Sequence, residues 1–144
     1  MRVVLDTNVV VSATLIRGGN EDRILRAWQR GAFDVVLSPP ILEEIGWALL
    51  YEKIQKFRWM SEEETVSLLE ALGQESLLVP GRVTVTVSRD LADDKFFAAA
   101  IEGRARYVVS GDKDLLAVKA YRGIRIVRPA AFLAILRRGK KLKP

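Results

Sequence analysis

Four carboxylates that lie far apart in the chain have the residue types needed for hydrolytic chemistry: Asp6, Glu44, Asp94 and Asp112. Asp6 interrupts the apolar opening MRVVLDTNVVVS. A buried, unpaired carboxylate is costly, so such a group usually lies at the mouth of a strand or has a partner. Carboxylates that meet in space repel one another unless protons or a cation neutralise them. The question is therefore whether the fold brings these acids together.

The pattern of apolar residues predicts strands that alternate with helices. The strands are expected at residues 3–5, 33–37, 77–79, 107–109 and 124–127, with a short edge extension in the alternating VTVTV of residues 83–87. Helices are expected at residues 21–30, from residue 39 onward, from 62 to about 72, from a cap at Asp93 to about 102, at 114–119, and from 129 onward. Ser61 and Glu64 form a capping-box pattern.

This alternation predicts an α/β fold: a single-domain parallel sheet sandwiched by helices in three layers, α/β/α. We expect residues 1–136 to form the domain and residues 137–144 to form a basic C-terminal tail. Parallel sheets place ligand sites beyond the carboxyl ends of their strands. Asp6 follows a strand directly, and Asp112 follows one after a Ser-Gly turn. Asp94 lies in the first turn of a helix, and Glu44 lies one turn into another. All four acids are thus assigned to one edge of the sheet.

The chain contains no Cys and no His, which excludes thiolate and imidazole ligands and Ser-His-Asp catalysis. Ligation by oxygen alone favours Mg²⁺ or Mn²⁺, shared by Asp6, Asp94 and Asp112. Asn8 and Ser110 would orient waters and acids from the second layer of the site. Lys95 and Lys113 adjoin proposed ligands, and each is either a phosphate contact or an ordinary solvated lysine.

The net charge of +5, partly concentrated in the closing RRGKKLKP, favours polyanionic partners. The same tail is equally consistent with a solvated chain end. The sequence shows neither an apolar run of membrane-spanning length nor a secretory signal, so a cytoplasmic location without membrane association is expected.

Three segments in order, LDTNVVVSA, SPPILEEI and DDKFFAAAIEGRARYVVSGDKDLL, resemble the PIN domain family and are most similar to small prokaryotic PIN proteins of the toxin type. The resemblance implies a Mg²⁺- or Mn²⁺-dependent ribonuclease acting on RNA, with an antitoxin protein and a second copy of the chain as further partners. It maps the catalytic, metal-binding quartet onto Asp6, Glu44, Asp94 and Asp112, adds Asp114 as a fifth acid, and matches Asn8 and Ser110 to the adjoining polar positions.

Neighbouring acids leave the quartet open by one residue at two places. Glu44 is chosen over Glu43 because it directly precedes an apolar residue, and Asp94 over Asp93 because it leads the DKFFAAA stretch. Taken singly, each acid is also explained as a helix cap or a turn residue.

Two other functions compete with the nuclease. One is a non-catalytic RNA-binding or scaffold protein. The other is an aspartate-nucleophile phosphatase, which places its general acid two residues after the nucleophile, where this chain has Asn8.

One further surface has two readings. Trp47, Leu50, Tyr51 and Ile54 lie off the main apolar stripe of their helix, which predicts either full burial or a contact with a partner.

Overall fold

The computed structural model describes residues 1–51 and 56–141, which form a sheet flanked by helices. The strands are β1 (Arg2–Leu5), β2 (Asp34–Leu37), β3 (Leu77–Leu78), β4 (Tyr107–Val109), β5 (Ala120–Tyr121) and β6 (Ile124–Val127). The helices are α1 (Thr7–Leu15), α2 (Asn20–Gln29), α3 (Pro39–Leu50), α4 (Glu62–Glu75), α5 (Asp94–Glu102), α6 (Lys113–Val118) and α7 (Pro129–Lys141), and a single 3₁₀ turn, Leu91–Asp93, precedes α5.

The sheet has the order β3-β2-β1-β4-β6-β5, and only the pairing of β5 with β6 is antiparallel. The central strands are short and apolar on both faces, as expected where helices cover a parallel sheet on both sides. Helix α5 packs against β1, β2 and β4, and α6 packs against β6. The predicted three-layer α/β/α class is confirmed.

Helix α1 is an element that the sequence did not predict. Its residues TNVVVSATL are rich in β-branched side chains, which disfavour helix by local propensity. Val9, Val10, Val11 and Ala13 are nevertheless buried, and α1 packs against α2 and α3. Burial of this apolar surface outweighs the propensity cost, which amounts to only a few tenths of a kcal/mol, roughly, per residue.

The edge extension expected at residues 83–87 is wrong, because these residues join no strand of the sheet. The predicted capping box is confirmed: Ser61 Oγ accepts a hydrogen bond from the Glu64 N–H at 3.1 Å, and Glu64 Oε1 accepts one from the Ser61 N–H at 3.3 Å. The strand prediction at 77–79 is confirmed in shorter form as β3.

Helix α7 extends from Pro129 to Lys141, so residues 137–141 of the expected tail continue this helix. Residues 142–144 lie outside the described residues. Within the part of the chain that the structure describes, no helix is both long and apolar enough to cross a membrane.

Gly103 ends α5 at a place with no room for a side chain. A Cβ there would lie 2.5 Å and 3.0 Å from the two γ-methyl groups of Val36, which is fully buried in β2. We expect Gly103→Ala to lower the free energy of unfolding by about 1–3 kcal/mol, since a β-branched core residue has little rotamer freedom to move aside. Urea unfolding measures the change.

Gly73 in α4 is the matched control, because a Cβ there meets no atom within 4 Å. Gly73→Ala should stabilise the protein by about 0.5–1 kcal/mol through the helix propensity of alanine. Equal effects of the two substitutions would show that the α5–β2 contact is not tightly packed.

Candidate active site

The two central strands β1 and β4 end side by side, and an acid follows each. They pair in parallel, with Leu5 opposite Val109, and the Asp6 N–H continues the ladder by donating to the Val109 carbonyl at 2.9 Å. Asp6 then caps α1, its Oδ1 accepting from the Asn8 N–H at 3.3 Å. The carboxylate is thus fixed at the carboxyl edge of the sheet.

Ser110 links the two acids. Its hydroxyl donates to Asp6 Oδ2 at 2.7 Å and accepts from the Asp112 N–H at 2.9 Å. Asp112 Oδ1 in turn caps α6, accepting from the N–H groups of Asp114 and Leu115 at 2.7 Å and 3.3 Å. Ser110 is fully buried, so this chain of hydrogen bonds holds Asp6 and Asp112 in a defined relative position.

Asp93, rather than Asp94, presents its carboxylate to this pair. The pKa of Asp93 is raised from 3.8 to about 6, chiefly by burial and then by the negative charges of Asp112, Asp90 and Asp6, while Lys95 opposes the shift. Its Oδ2 is buried and has no hydrogen-bond partner among the described residues. Asp93 occupies the N-cap position of α5, but its side chain makes no capping hydrogen bond.

The carboxylate of Asp94 is engaged elsewhere. Its Oδ1 accepts from the N–H groups of Val87 and Ser88 at 3.1 Å and 2.7 Å, and the residue is buried. Asp94 therefore fastens the segment that leads into α5. Successive residues of a helix point about 100° apart, so only one of two adjacent acids can face the site. The order of residues in DDKFFAAA did not reveal which of the two acids faces the site.

Glu44 reaches these acids from α3. Its negative charge is among the causes that raise the pKa of Asp6, after burial, which is the largest. Glu44 Oε2 lies 2.6 Å from Lys95 Nζ, an ion pair that lacks the angles of a hydrogen bond. Lys95 Nζ also donates to the Ala92 carbonyl at 2.7 Å. An ammonium group thus lies beside the acids, a contact that the sequence did not predict.

The remaining predicted site residues lie at the margin. Asp114 is half exposed, and its Oδ1 lies 3.4 Å from Arg89 Nη2. Asn8 is exposed and contributes its backbone N–H to Asp6. We call Asp6, Asp93, Asp112 and Glu44 the acidic cluster, because charges within this set raise the pKa of Asp6 and of Asp93. Asp90 adds to the negative charge near Asp93 from outside the cluster.

Among the described residues, no three acids stand close enough together to form a complete metal site. The residues nevertheless fit a hard divalent cation. All the donors are oxygens, Asp93 Oδ2 is buried and unpartnered, and burial together with neighbouring negative charge disfavours ionisation of Asp6 and Asp93. A cation among them would relieve each of these costs.

The apolar residues of α3 that lie off its main stripe face outward. Trp47 is 69% exposed, Leu50 58% and Tyr51 43%, and the rings of Trp47 and Tyr51 contact each other with centroids 6.2 Å apart. The reading of these three residues as buried core is wrong, because α3 faces the core with Ile41, Ile45 and Leu49, together with the partly buried Leu42 and Ala48. Ile54 lies outside the described residues.

A parallel α/β sheet with carboxylates gathered at the carboxyl ends of its central strands defines the class of protein. Residues 2–114 match the PIN domain family, so the chain belongs to that family, whose members are generally nucleases. The chain is also 33% identical over 119 residues to the uncharacterized protein MJ1680 of Methanocaldococcus jannaschii, covering 83% of this chain and 76% of that relative. The predicted family membership is confirmed.

The raised pKa of Asp93 predicts how stability depends on pH. Well below pH 4 the group is protonated in the folded and unfolded states alike. Between about pH 4 and pH 6 the unfolded state loses its proton while the folded state keeps it, so stability falls over this range and stays lowered above it. We expect Asp93→Asn to be more stable than the wild type near pH 8 in EDTA, with the difference disappearing at about pH 3. Urea unfolding at both pH values measures it.

Asp34→Asn is the control, because Asp34 is exposed and is the first residue of β2, at the other end of the strand from the edge that carries the cluster. It should show no such pH-dependent difference. A lower stability of Asp93→Asn near pH 8 would mean that Asp93 makes favourable contacts that outweigh repulsion within the cluster.

Proposed function

We propose that the protein is a metal-dependent endoribonuclease that hydrolyses RNA phosphodiester bonds at the acidic cluster. The observation that carries the proposal is the convergence of Asp6, Asp93, Asp112 and Glu44, from four separate parts of the chain, on the carboxyl edge of the sheet. Structural acids need no such convergence, since each is satisfied locally as a cap or turn residue. Membership of a family of nucleases supports the same assignment.

Each residue of the cluster has a distinct part in this proposal. Asp6, Asp93 and Asp112 would hold Mg²⁺ or Mn²⁺, with Glu44 completing the set or accepting a proton from a water molecule. Ser110 orients Asp6 through its hydroxyl hydrogen bond and so acts as a positioning residue. When bound, the divalent ion supplies an activated water and neutralises charge on the phosphodiester. Asp94, the residue predicted from the sequence, positions the segment beside the site.

RNA as the substrate is supported by charge. The net charge of +5 attracts a polyanion, and Lys95 brings a cationic group to the edge of the cluster. Lys95 Nζ lies in an ion pair with Glu44 and donates one hydrogen bond, to the Ala92 carbonyl, so a further N–H of this ammonium group can be directed at a phosphate oxygen. Lys113, the first residue of α6, is exposed and follows Asp112 directly.

The further proposal of a toxin held by an antitoxin protein rests on the resemblance to toxin-type PIN proteins. The exposed aromatic residues Trp47 and Tyr51 offer a surface for that partner or for a second copy of the chain. The family match argues against the phosphatase alternative. Asn8 also stands where that enzyme would need its general acid, and it has no carboxyl group to donate a proton. A non-catalytic RNA-binding role is the alternative that experiment has to separate.

Adjacent acids provide the sharpest test of the metal site. We expect Asp93→Asn to weaken Mn²⁺ binding, measured by calorimetry, by about tenfold or more, and to reduce RNA cleavage by about 100-fold or more, because it removes a charged ligand. Asp94→Asn should leave Mn²⁺ affinity within about threefold and instead speed hydrogen exchange at the Val87 and Ser88 amides, whose acceptor it weakens. The opposite ranking would assign the ligand to Asp94.

The pair on α3 gives a second test. Glu44→Gln should lower Mn²⁺-dependent cleavage by about tenfold or more, whereas Glu43→Gln should leave it unchanged, because Glu43 is exposed on the helix surface. Cleavage of defined RNAs with Mn²⁺, with EDTA, and with Asp6→Asn as the inactive reference measures the effect. RNA binding without strand scission under all these conditions would establish the non-catalytic alternative.

A further inference from the structure

A cavity of about 450 Å³ lies between α2 and α7, at the edge of the sheet opposite the acidic cluster. Met1 and Ala32 line it, and they come just before β1 and β2, so the cavity is at the amino edge of the sheet. The acidic cluster is at the carboxyl edge. The cavity and the cluster are therefore separated by the length of the central strands.

Small residues at the end of α2 leave this space open. The helix ends in a Schellman motif, in which the Ala32 N–H donates to the Ala27 carbonyl at 3.0 Å and the Gly31 N–H donates to the Trp28 carbonyl at 2.9 Å. In this motif an apolar contact between the positions of Ala27 and Ala32 usually closes the helix end, and two alanines fill little of that volume. Both line the cavity, as does Gly139 of α7, which has no side chain.

The charged residues that line the cavity are all arginines: Arg23, Arg30 and Arg137. Arg23 and Arg30 lie seven residues apart and so on the same side of α2, and Arg137 lies on α7. All three are exposed, and none forms an ion pair with any residue whose side chain the structure describes. Positive charge that lacks a counter-charge attracts an anion.

The acids of α2 do not offset this charge. Asp22 Oδ2 accepts from the Gly18 N–H at 2.8 Å, its Oδ1 accepts from Arg26 Nε at 3.2 Å, and the residue lines a separate cavity between α2 and α4. Glu21 is nine residues before Arg30, which places it on the opposite side of the helix from that arginine.

Asp34 is also near the cavity in sequence, but it lies on the other face of the sheet. Phe33 contacts Phe132 of α7, with ring centroids 5.1 Å apart, so the next residue of the strand points away from α7. Asp34 shares its face with Val36, which lies against the end of α5. The arginines of the cavity therefore remain without a described counter-charge.

The floor of the cavity is apolar. Leu133 and Ala27 are buried, and Ile135 and Leu136 are half-buried against the core. An inorganic anion makes no use of such a surface, and a wholly apolar molecule leaves the arginines unmatched. A molecule with both parts would bury its apolar body on the floor and accept hydrogen bonds from the guanidinium groups through a carboxylate or phosphate.

The volume is within the range of small-molecule sites, roughly 300–1,000 Å³. A nucleic acid would reach the arginines through its phosphates and gain little from the apolar floor. The sequence that follows Gly139, KKLKP, is basic, so the arginines disfavour it as an occupant. We propose that the cavity between α2 and α7 binds a free small organic anion that has an apolar body and a carboxylate or phosphate group.

The test is an NMR titration of the full-length, ¹⁵N-labelled protein with naphthalene-1-acetate, without added metal. We expect saturable shifts at the Ala27, Ala32 and Gly139 amides, with a Kd of about 1 mM or tighter for a probe of this size. Neutral naphthalene-1-acetamide has the same rings and should bind about tenfold or more weakly, because it lacks the charge. Neither probe needs the acidic cluster, so the result is separate from the proposed function.

Variants assign the charge and the space to named residues. Arg30→Gln and Arg137→Gln should each weaken binding of naphthalene-1-acetate by about threefold or more and leave binding of the amide unchanged. Arg106→Gln is the control, because Arg106 is exposed, directly precedes β4 at the same edge and does not line the cavity. Ala32→Leu should weaken both probes by about tenfold or more, since leucine fills the cavity with the apolar contact that a Schellman motif favours.

Any of four results would overturn the proposal. The first two are the absence of saturable shifts at the three amides and equal affinity for the acid and the amide. The third is equal weakening by Arg106→Gln, which would reduce the effect to net charge. The fourth is a shift of the same amides by oligouridylate without one by naphthalene-1-acetate, which would assign the cavity to nucleic acid.

Discussion

Repulsion among carboxylates at the end of two adjacent parallel strands is the constraint on which the site depends. Pairing of β1 with β4 brings Asp6 and Asp112 to one edge, and the Ser110 hydroxyl bridges them. Burial strengthens the repulsion, since charges interact more strongly away from water. The fold offsets part of this cost with hydrogen bonds to Asp6 and with the ammonium group of Lys95 beside Glu44.

Helix α5 meets several demands within a few residues. Phe96 and Phe97 are buried in the core and anchor the helix against the sheet. Asp93 belongs to the acidic cluster, Asp94 accepts from the backbone of the segment that leads into α5, and Lys95 reaches Glu44 on α3. These directions follow from helical geometry, which turns each successive side chain by about 100°. A shift of the sequence by one residue along the helix would bring a different side chain to each of these contacts.

The arrangement of these acids lowers the stability of the folded protein. The raised pKa values of Asp6 and Asp93 mean that the fold holds both carboxyl groups in a setting that disfavours their ionised form. Perturbed carboxyl groups of this kind are typical of functional sites. Gly103, which allows α5 to end against Val36, shows how closely the helix must approach the sheet to hold this setting.

Much of the architecture follows from local pattern, because apolar runs such as RVVL and YVV and the Ser61 capping box specify their elements without distant contacts. The absence of Cys and His likewise restricts any metal site to oxygen ligands. Tertiary structure alone decided that TNVVVSATL is helical, that VTVTV remains unpaired, and that Asp93 rather than Asp94 faces the cluster. Each of these depends on packing against residues far away in the chain, and such long-range contacts outweigh local preferences of a few tenths of a kcal/mol, roughly, per residue.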